Sequence, residues 1–468
     1  MTERREIERI HTGSPETDRI LGGGFLRNSI NIVMGQPGTG KTILVQHMVF
    51  HNASDDRPIL YLTTLSEPLA KIVKYLQQFD FYAESRLGES IHYEDVGPRL
   101  AADGIKALLP VVESAIRTLA PKIVIIDSFK ALHDLSPSIT GMRQMLYELT
   151  GVLTAYDTTT FLLGEYTEEH SRQLPEFAVA DGIIELSRNF TSTREERFLR
   201  VLKLRGSSYI EGQHGFKITP GGLDVYPRLL SPEVPADYKI VQERTSWGVP
   251  GLDALLGGGL WRGSTTLLAG PAGAGKTTMA LQFALEGVRA GEATLYVNFQ
   301  ENPTQLARAI RNLGSDVEEA RSRGLQLLYA SPVELQIDSL VVTIFRRIRQ
   351  ENIRRVVLDA AGDLIMAASD SQRLHDYLYA LVQHFTVAGV TSVLTYETAG
   401  GVTDAGGGTG LGGRFSYMSD NIVWIKVEAS QVVSRSVMVL KARGSAHDLH
   451  AHELQMSSAG AQVVPRRR

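Results

Sequence analysis

Apolar and polar positions fall into two alternating patterns along this chain. Short, nearly continuous apolar runs recur, among them SINIVM, PILYLTT, PKIVIIDS, TTTFLLGE and DGIIELS in the first half and STTLLA in the second. Between them lie stretches such as ILVQHMVFH and TMALQFALEG, where apolar residues return every three or four positions. The first pattern predicts strands buried on both faces, and the second predicts helices with one apolar face. Alternation of the two predicts α/β architecture: a mainly parallel sheet flanked by helices. The later runs LRVLKLRG and FKITPGGLDVYP are expected to add antiparallel strands at one edge.

Two of the strand-to-helix junctions carry the same glycine-rich loop. Gly35-Gln36-Pro37-Gly38-Thr39-Gly40-Lys41-Thr42 and Gly270-Pro271-Ala272-Gly273-Ala274-Gly275-Lys276-Thr277 both read G-x-x-x-x-G-K-[ST]. The glycines let successive backbone N–H groups turn inward as an anion nest, and the following helix adds its positive end. The lysine brings a point charge to β- and γ-phosphates, and the threonine hydroxyl completes a Mg²⁺ shell. The chain is therefore expected to bind nucleotide twice.

The loops belong to a longer repeat. Lys276 minus Lys41 is 235, and the same offset aligns Gly13 with Gly248, Pro15 with Pro250, Asp18 with Asp253 and Tyr61 with Tyr296. Asp127 answers to Asp359 at an offset of 232, and Lys203-Leu204-Arg205-Gly206-Ser207 to Lys441-Ala442-Arg443-Gly444-Ser445 at 238. Such small drifts belong to surface-loop insertions. The expected organisation is a tandem of two like domains, 1–232 and 240–468, divided in the turn-rich stretch between Pro227 and Arg244.

Composition narrows the reading. A net charge of −4 argues against a constitutive nucleic-acid binder. With no cysteine, disulfides, zinc–thiolate sites and thiol nucleophiles are excluded, which suits a reducing cytoplasm. MTERREIERI lacks the apolar segment of a signal peptide, and no stretch has the length and apolarity of a membrane span. The final Pro465-Arg466-Arg467-Arg468 reads as a solvated tail.

Several residues outside the loops are candidates for chemistry. Asp127 and Asp359 end apolar strands, from which a carboxylate reaches a Mg²⁺ ion held by Thr42 or Thr277. After the next strand, the second copy offers Gln300 and Glu301, where a carboxylate faces the γ-phosphate and orients or deprotonates an attacking water. The first copy has Leu65 and Ser66 there, with Glu67 one place late; a one-residue slip in a strand turns the side chain to the other face. Lys203 with Arg205, and Lys441 with Arg443, are spaced two apart, as on one face of a strand. Either pair is a solvated edge, or a basic finger reaching a neighbouring subunit's nucleotide. The glycine-dense stretch from Thr398 to Arg414 cannot pack a core and reads as a mobile loop.

Together these features resemble the KaiC family, tandem RecA-like P-loop ATPases that include the cyanobacterial clock protein. The likeness rests on GSPETDRILGGGF and GVPGLDALLGGGL, the two P-loops, the two strand-end aspartates, and the terminal KLRGSS and KARGSAHD. It implies a double-ring homohexamer with ATP at the subunit interfaces, slow hydrolysis, and a regulatory protein partner. The family usually carries two adjacent glutamates where this chain has Leu65-Ser66 and Gln300-Glu301, so the first domain is expected to be catalytically compromised. Alignment on Ser419-Asp420 sets Ser416-Tyr417 where the clock protein phosphorylates a Ser-Thr pair, making Ser416 the candidate phosphosite. The implied identity is a regulatory or signalling ATPase outside the core oscillator.

Two other classes stay open at this level. A RecA/RadA-type DNA-dependent ATPase would use the glycine-rich loop and the basic run Arg346-Arg347-Ile348-Arg349, but that loop lacks interleaved aromatics for base stacking. A nucleotide-gated scaffold would bind ATP and assemble with negligible turnover.

Overall fold

The computed structural model describes residues 8–64, 69–136, 138–190, 194–235, 242–367, 371–398, 417–429 and 433–464. The chain divides into two compact units, Met1–Arg228 and Leu229–Arg468.

Each unit is built on one nine-stranded sheet with a single strand order. In the first, the order from one edge is Ile91–Asp95, Ile59–Thr63, Ile123–Asp127, Thr159–Gly164, Ile30–Gly35, Gly182–Phe190, Glu195–Leu204, His214–Thr219 and Gly222–Tyr226. The second repeats it with Leu325–Tyr329, Thr294–Asn298, Arg355–Asp359, Thr391–Glu397, Thr265–Gly270, Asn421–Ala429, Val433–Ala442, His452–Ser457 and Gly460–Val464. The first six strands of each series pair in parallel and the last three run antiparallel. The expected α/β class, and the expected antiparallel edge, both hold.

Alternation within the apolar strands explains the layering. Val33 joins one buried cluster with Tyr61 and Phe161, while Ile32 and Met34 join another with Leu60 and Leu62. The second sheet is covered in the same way, Leu268 and Tyr296 on one face and Leu267 and Leu295 on the other. At roughly 1.5–3 kcal/mol for each fully buried large aliphatic or aromatic side chain, this two-sided burial dominates the stability of both units. It also aligns the carboxyl ends of the parallel strands along one edge, where ligands bind in open α/β sheets.

Candidate functional site

The two glycine-rich loops lie at that edge. In each unit the loop leaves the central strand, Ile30–Gly35 or Thr265–Gly270, and enters a long helix, Lys41–Asn52 or Lys276–Arg289. The residue before each helix is left-handed, Gly40 at φ 101° and Gly275 at φ 103°, a conformation that strains any side chain. Gly35 is required for closeness: a Cβ there would fall 2.1 Å from the Leu186 carbonyl oxygen. Gly38 and Thr39 of the first loop, and Gly273 and Ala274 of the second, complete the turns. Lys276 Nζ donates to the carbonyls of Gly270 at 2.9 Å and Pro271 at 2.8 Å, and Lys41 Nζ to those of Gly35 at 2.9 Å and Gln36 at 3.0 Å. Burial lowers the pKa of both ammonium groups; Glu397 and Asp359 oppose this at Lys276, as Glu165 and Asp127 do at Lys41.

The strand-end aspartates sit beside these loops. Thr42 Oγ1 donates to Asp127 Oδ2 at 3.3 Å, and Tyr61 donates its hydroxyl to the same oxygen at 2.7 Å. Asp359 accepts from Tyr296 at 2.6 Å and from Thr395 Oγ1 at 2.5 Å, and lines one cleft with Thr277. A hydroxyl and a carboxylate converging at the mouth of an anion nest are hard oxygen donors of the kind Mg²⁺ takes, so the residues fit that metal.

Beyond the loops the two clefts differ. The second, about 820 Å³, is lined by Lys276, Thr277 and the carboxylates of Glu301, Asp359, Asp363 and Glu397. Asn298, the last residue of its strand, accepts from the backbone N–H of Gln300 at 3.0 Å and of Glu301 at 2.8 Å, pinning the turn that presents both side chains. Gln300 Nε2 donates to both oxygens of Asp363, at 3.0 and 3.1 Å. Glu301 Oε2 is buried with no hydrogen-bond partner among the described residues, and burial together with Asp359 raises its carboxyl pKa above the ordinary range. A raised carboxylate open to a phosphate site is suited to taking a proton from water. Beside the first loop, a pocket of about 530 Å³ is lined by Lys41 and Thr42 and then by Ile72, Tyr75, Leu76, Phe79 and Ile218, while Asp127 and Glu165 flank the same lysine. Glu67, Leu65 and Ser66 lie outside the described residues, as do Ser416 and all of the glycine-dense stretch past Thr398.

The basic pairs are placed elsewhere, and their geometry corrects the expectation of one strand face. The strands end at Leu204 and Ala442, so Arg205 and Arg443 lie in the turns that follow. A register shift next to Lys203, and its counterpart next to Lys441, inserts one extra residue, Leu202 or Leu440, into the strand. Such bulges re-aim the side chains around them. Lys441 donates to the Ser419 carbonyl at 2.7 Å, Arg443 to the Tyr417 carbonyl at 3.2 Å, and Arg205 pairs with Asp181 at 3.3 Å. Burial, and then the adjacent arginine, lower the pKa of Lys203 and Lys441. Lys441 lies opposite Ile422, one residue past the Asn421 that pairs with Thr266, so the pair sits at the amino ends of the parallel strands. Arg443 N–H bonds Asp420, whose own N–H bonds Thr265; at the usual rise this is roughly 15 Å along the strand from Gly270.

A family described as "ATPase: KaiC" matches residues 10–229 and again 245–468. The chain belongs to the KaiC family of ATPases. Among its relatives it is similar to the circadian clock oscillator protein KaiC of Picosynechococcus sp., 27% identical over 481 residues that span 98% of this chain and 90% of the relative. It is also similar to KaiC of Rippkaea orientalis, 26% identical across 98% of this chain and 89% of the relative, and to KaiC 1 of Synechocystis sp., 25% identical across 98% and 90%. No helix among the described residues is long and apolar enough to cross a membrane.

Membership makes the chain a KaiC-like ATPase, and the structure adds residues that motif reading missed. Asn298, Asp363, Thr395 and the tyrosines behind each aspartate all shape the site. So do Arg197 and Arg435, which donate to the carbonyls of Gly38 at 3.3 Å and Gly273 at 3.2 Å at the tips of their own loops. The tyrosines were visible as a repeat match, and the arginines share the 238 offset of the basic pairs. The basic run 346–349 is broken up in the fold: Ile348 is buried, and Arg347 donates to Gln326 and the Leu327 carbonyl.

Proposed function

We propose that this KaiC-family ATPase hydrolyses ATP mainly in its second domain, with Glu301 as the general base, and holds ATP in its first. The observation that carries the reading is the buried, unpartnered Oε2 of Glu301 in a cleft shared with Lys276, Thr277 and Asp359. Glu301 takes a proton from water as the water oxygen bonds to the γ-phosphorus. The bond from that phosphorus to the β–γ bridging oxygen breaks, and ADP leaves with the electron pair. Gly273, Ala274 and Gly275 offer backbone N–H groups to the phosphates, and Lys276 offsets the charge that develops. Thr277 with Asp359, and Thr42 with Asp127, would hold Mg²⁺, which neutralises charge on the β- and γ-phosphates when bound.

The assembly proposed is a head-to-tail homohexameric double ring with ATP at the subunit interfaces. A phosphate loop at one end of each sheet, and a basic pair at the other, is the polarity such a ring uses. In it, Lys441 and Arg443, and Lys203 and Arg205, reach the nucleotide of the adjacent subunit. A regulatory part in the cytoplasm, exercised through a protein partner, completes the reading.

One experiment tests base and finger together. Glu301→Gln is expected to lower ATP turnover by about 10²–10⁴, and Arg443→Ala to be inactive as well. Mixed rings of the two variants recover activity at interfaces that hold both groups intact. Wild-type turnover by Glu301→Gln refutes the base, and no recovery in rings shown to have exchanged subunits refutes the trans contact. Labelled phosphate retained on the protein in the same assay reads out any transfer to Ser416.

A further inference from the structure

We infer that Asp363 is a positioning residue for hydrolysis: it fixes the Gln300 side chain beside Glu301, and the two residues work as one unit that the first domain lacks. The inference rests on the reading that turnover occurs at Glu301.

Asp363 is 8% exposed and lies four residues after Asp359, in the first turn of the helix Ala361–Ala367. Both of its oxygens accept from Gln300 Nε2, and one accepts from the Ala360 N–H at 3.4 Å. An ionised carboxylate has acceptors only, so it selects which end of the Gln300 amide faces it. Nε2 turns toward Asp363, and Oε1 turns away. The main chain of Gln300 is held at the same time by Asn298. Gln300 is thus fixed at both ends, although its residue surface is exposed. A fixed carbonyl oxygen next to a general base can accept a hydrogen bond from the attacking water and set its direction.

The internal repeat supplies an independent observation. Subtracting 235 from 300 gives Leu65, and subtracting 232 from 363 gives Ala131. The donor and its acceptor are both replaced by apolar residues in the other copy. A carboxylate buried opposite a leucine would lose its partner at full desolvation cost, so the two positions change together.

The same contact favours an amide over a carboxylate at position 300. A glutamate at position 300 would bring a second carboxylate to about the 3 Å now spanned by the amide, and like charges so close cannot both ionise. Glutamine keeps the contact without adding a second charge.

The test is steady-state turnover of the full-length protein, with affinity for a fluorescent ATP analogue measured in parallel. Asp363→Ala is expected to lower kcat on the order of ten- to hundredfold, with KM and analogue affinity within about twofold of wild type. Asp363→Asn keeps an oxygen facing Nε2 and stays within about threefold. Gln300→Leu, at an exposed position that does not endanger folding, loses the same factor, and adding Asp363→Ala to it costs nothing further. Gln300→Glu moves the acid limb of the pH profile upward, and a second change, Asp363→Ala, returns it. Wild-type kcat in Asp363→Ala, losses that multiply in the double variant, or Asp363→Asn as inactive as Asp363→Ala would each overturn the inference. Glu301→Gln run alongside separates the failures. If it turns over normally, the base assignment fails; if it is inactive while Gln300→Leu is normal, only the positioning unit fails.

Discussion

Arg355 begins the strand that ends in Asp359, and its side chain is 1% exposed. Its guanidinium donates to the carbonyls of Ser246 at 2.8 Å and Phe283 at 3.1 Å, to Thr245 Oγ1 and to the Glu292 carboxylate. It also lies over the Phe283 ring. The first unit fills the matching place with Ile123, packed in the same apolar cluster as Ile10. Arg355→Ile therefore installs a residue that the repeat already accepts there, but leaves Glu292 behind. Removing one partner of a buried ion pair costs about 3–5 kcal/mol. Glu292 retains Arg262, which places the expected loss near the lower end, about 3 kcal/mol. For a unit of this size that lowers the melting midpoint by about 6–12 °C. The three tryptophans, Trp247, Trp261 and Trp424, all lie in the second unit, so tryptophan fluorescence follows that unit alone. Arg355→Ile with Glu292→Leu removes the stranded charge and is expected to recover at least half of the loss, because Arg262 still has Glu243 at 3.0 Å. A shift smaller than about 2 °C in the single variant, or no recovery in the double, would refute the assignment of this network as a buried ionic anchor.

The two phosphate-loop lysines are expected to separate by function. Lys41→Ala weakens ring assembly in ATP, and Lys276→Ala abolishes turnover; an unchanged hexamer in size-exclusion chromatography of Lys41→Ala rules out the assembly part. Turnover also has a predictable acid limb. The base must be ionised, and burial with Asp359 raises the Glu301 pKa, so kcat is expected to fall with decreasing pH while still above the ordinary glutamate range. A profile flat down to that range removes Glu301 as the base.

What the sequence disclosed was local. A phosphate loop is eight consecutive residues with its glycines in fixed places, and Asp127 and Asp359 follow apolar runs that could only be buried strands. The apolar runs set the sheet and the repeat set its duplication. Asp363 and Thr395 stayed hidden because the groups they engage, Gln300 and Asp359, lie 63 and 36 residues away. Only the parallel strand order brings their ends together. The Lys-x-Arg spacing misled for a different reason: the strands end at Leu204 and Ala442, between the lysine and the arginine, and nothing in the residue types marks that end. Asn298 ends the strand just before Gln300 and Glu301, but an amide that caps its own turn looks the same in sequence as any strand-end polar residue.

The strand Val433–Ala442 carries Arg435 near one end and Lys441 near the other, roughly 20 Å apart at the usual rise per residue. Arg435 grips the tip of its own phosphate loop, while Lys441 marks the end that faces the next subunit in the proposed ring. In that proposed ring, one rod, hydrogen-bonded along its length to Asn421–Ala429, would span from the loop of one nucleotide site to the nucleotide of the next subunit. In such a ring, a displacement of the loop tip on filling one site would tilt the finger at the next and so carry occupancy from subunit to subunit. Linkage would make that communication mutual: whatever a filled site did to its neighbour's affinity, the neighbour would return by the same factor.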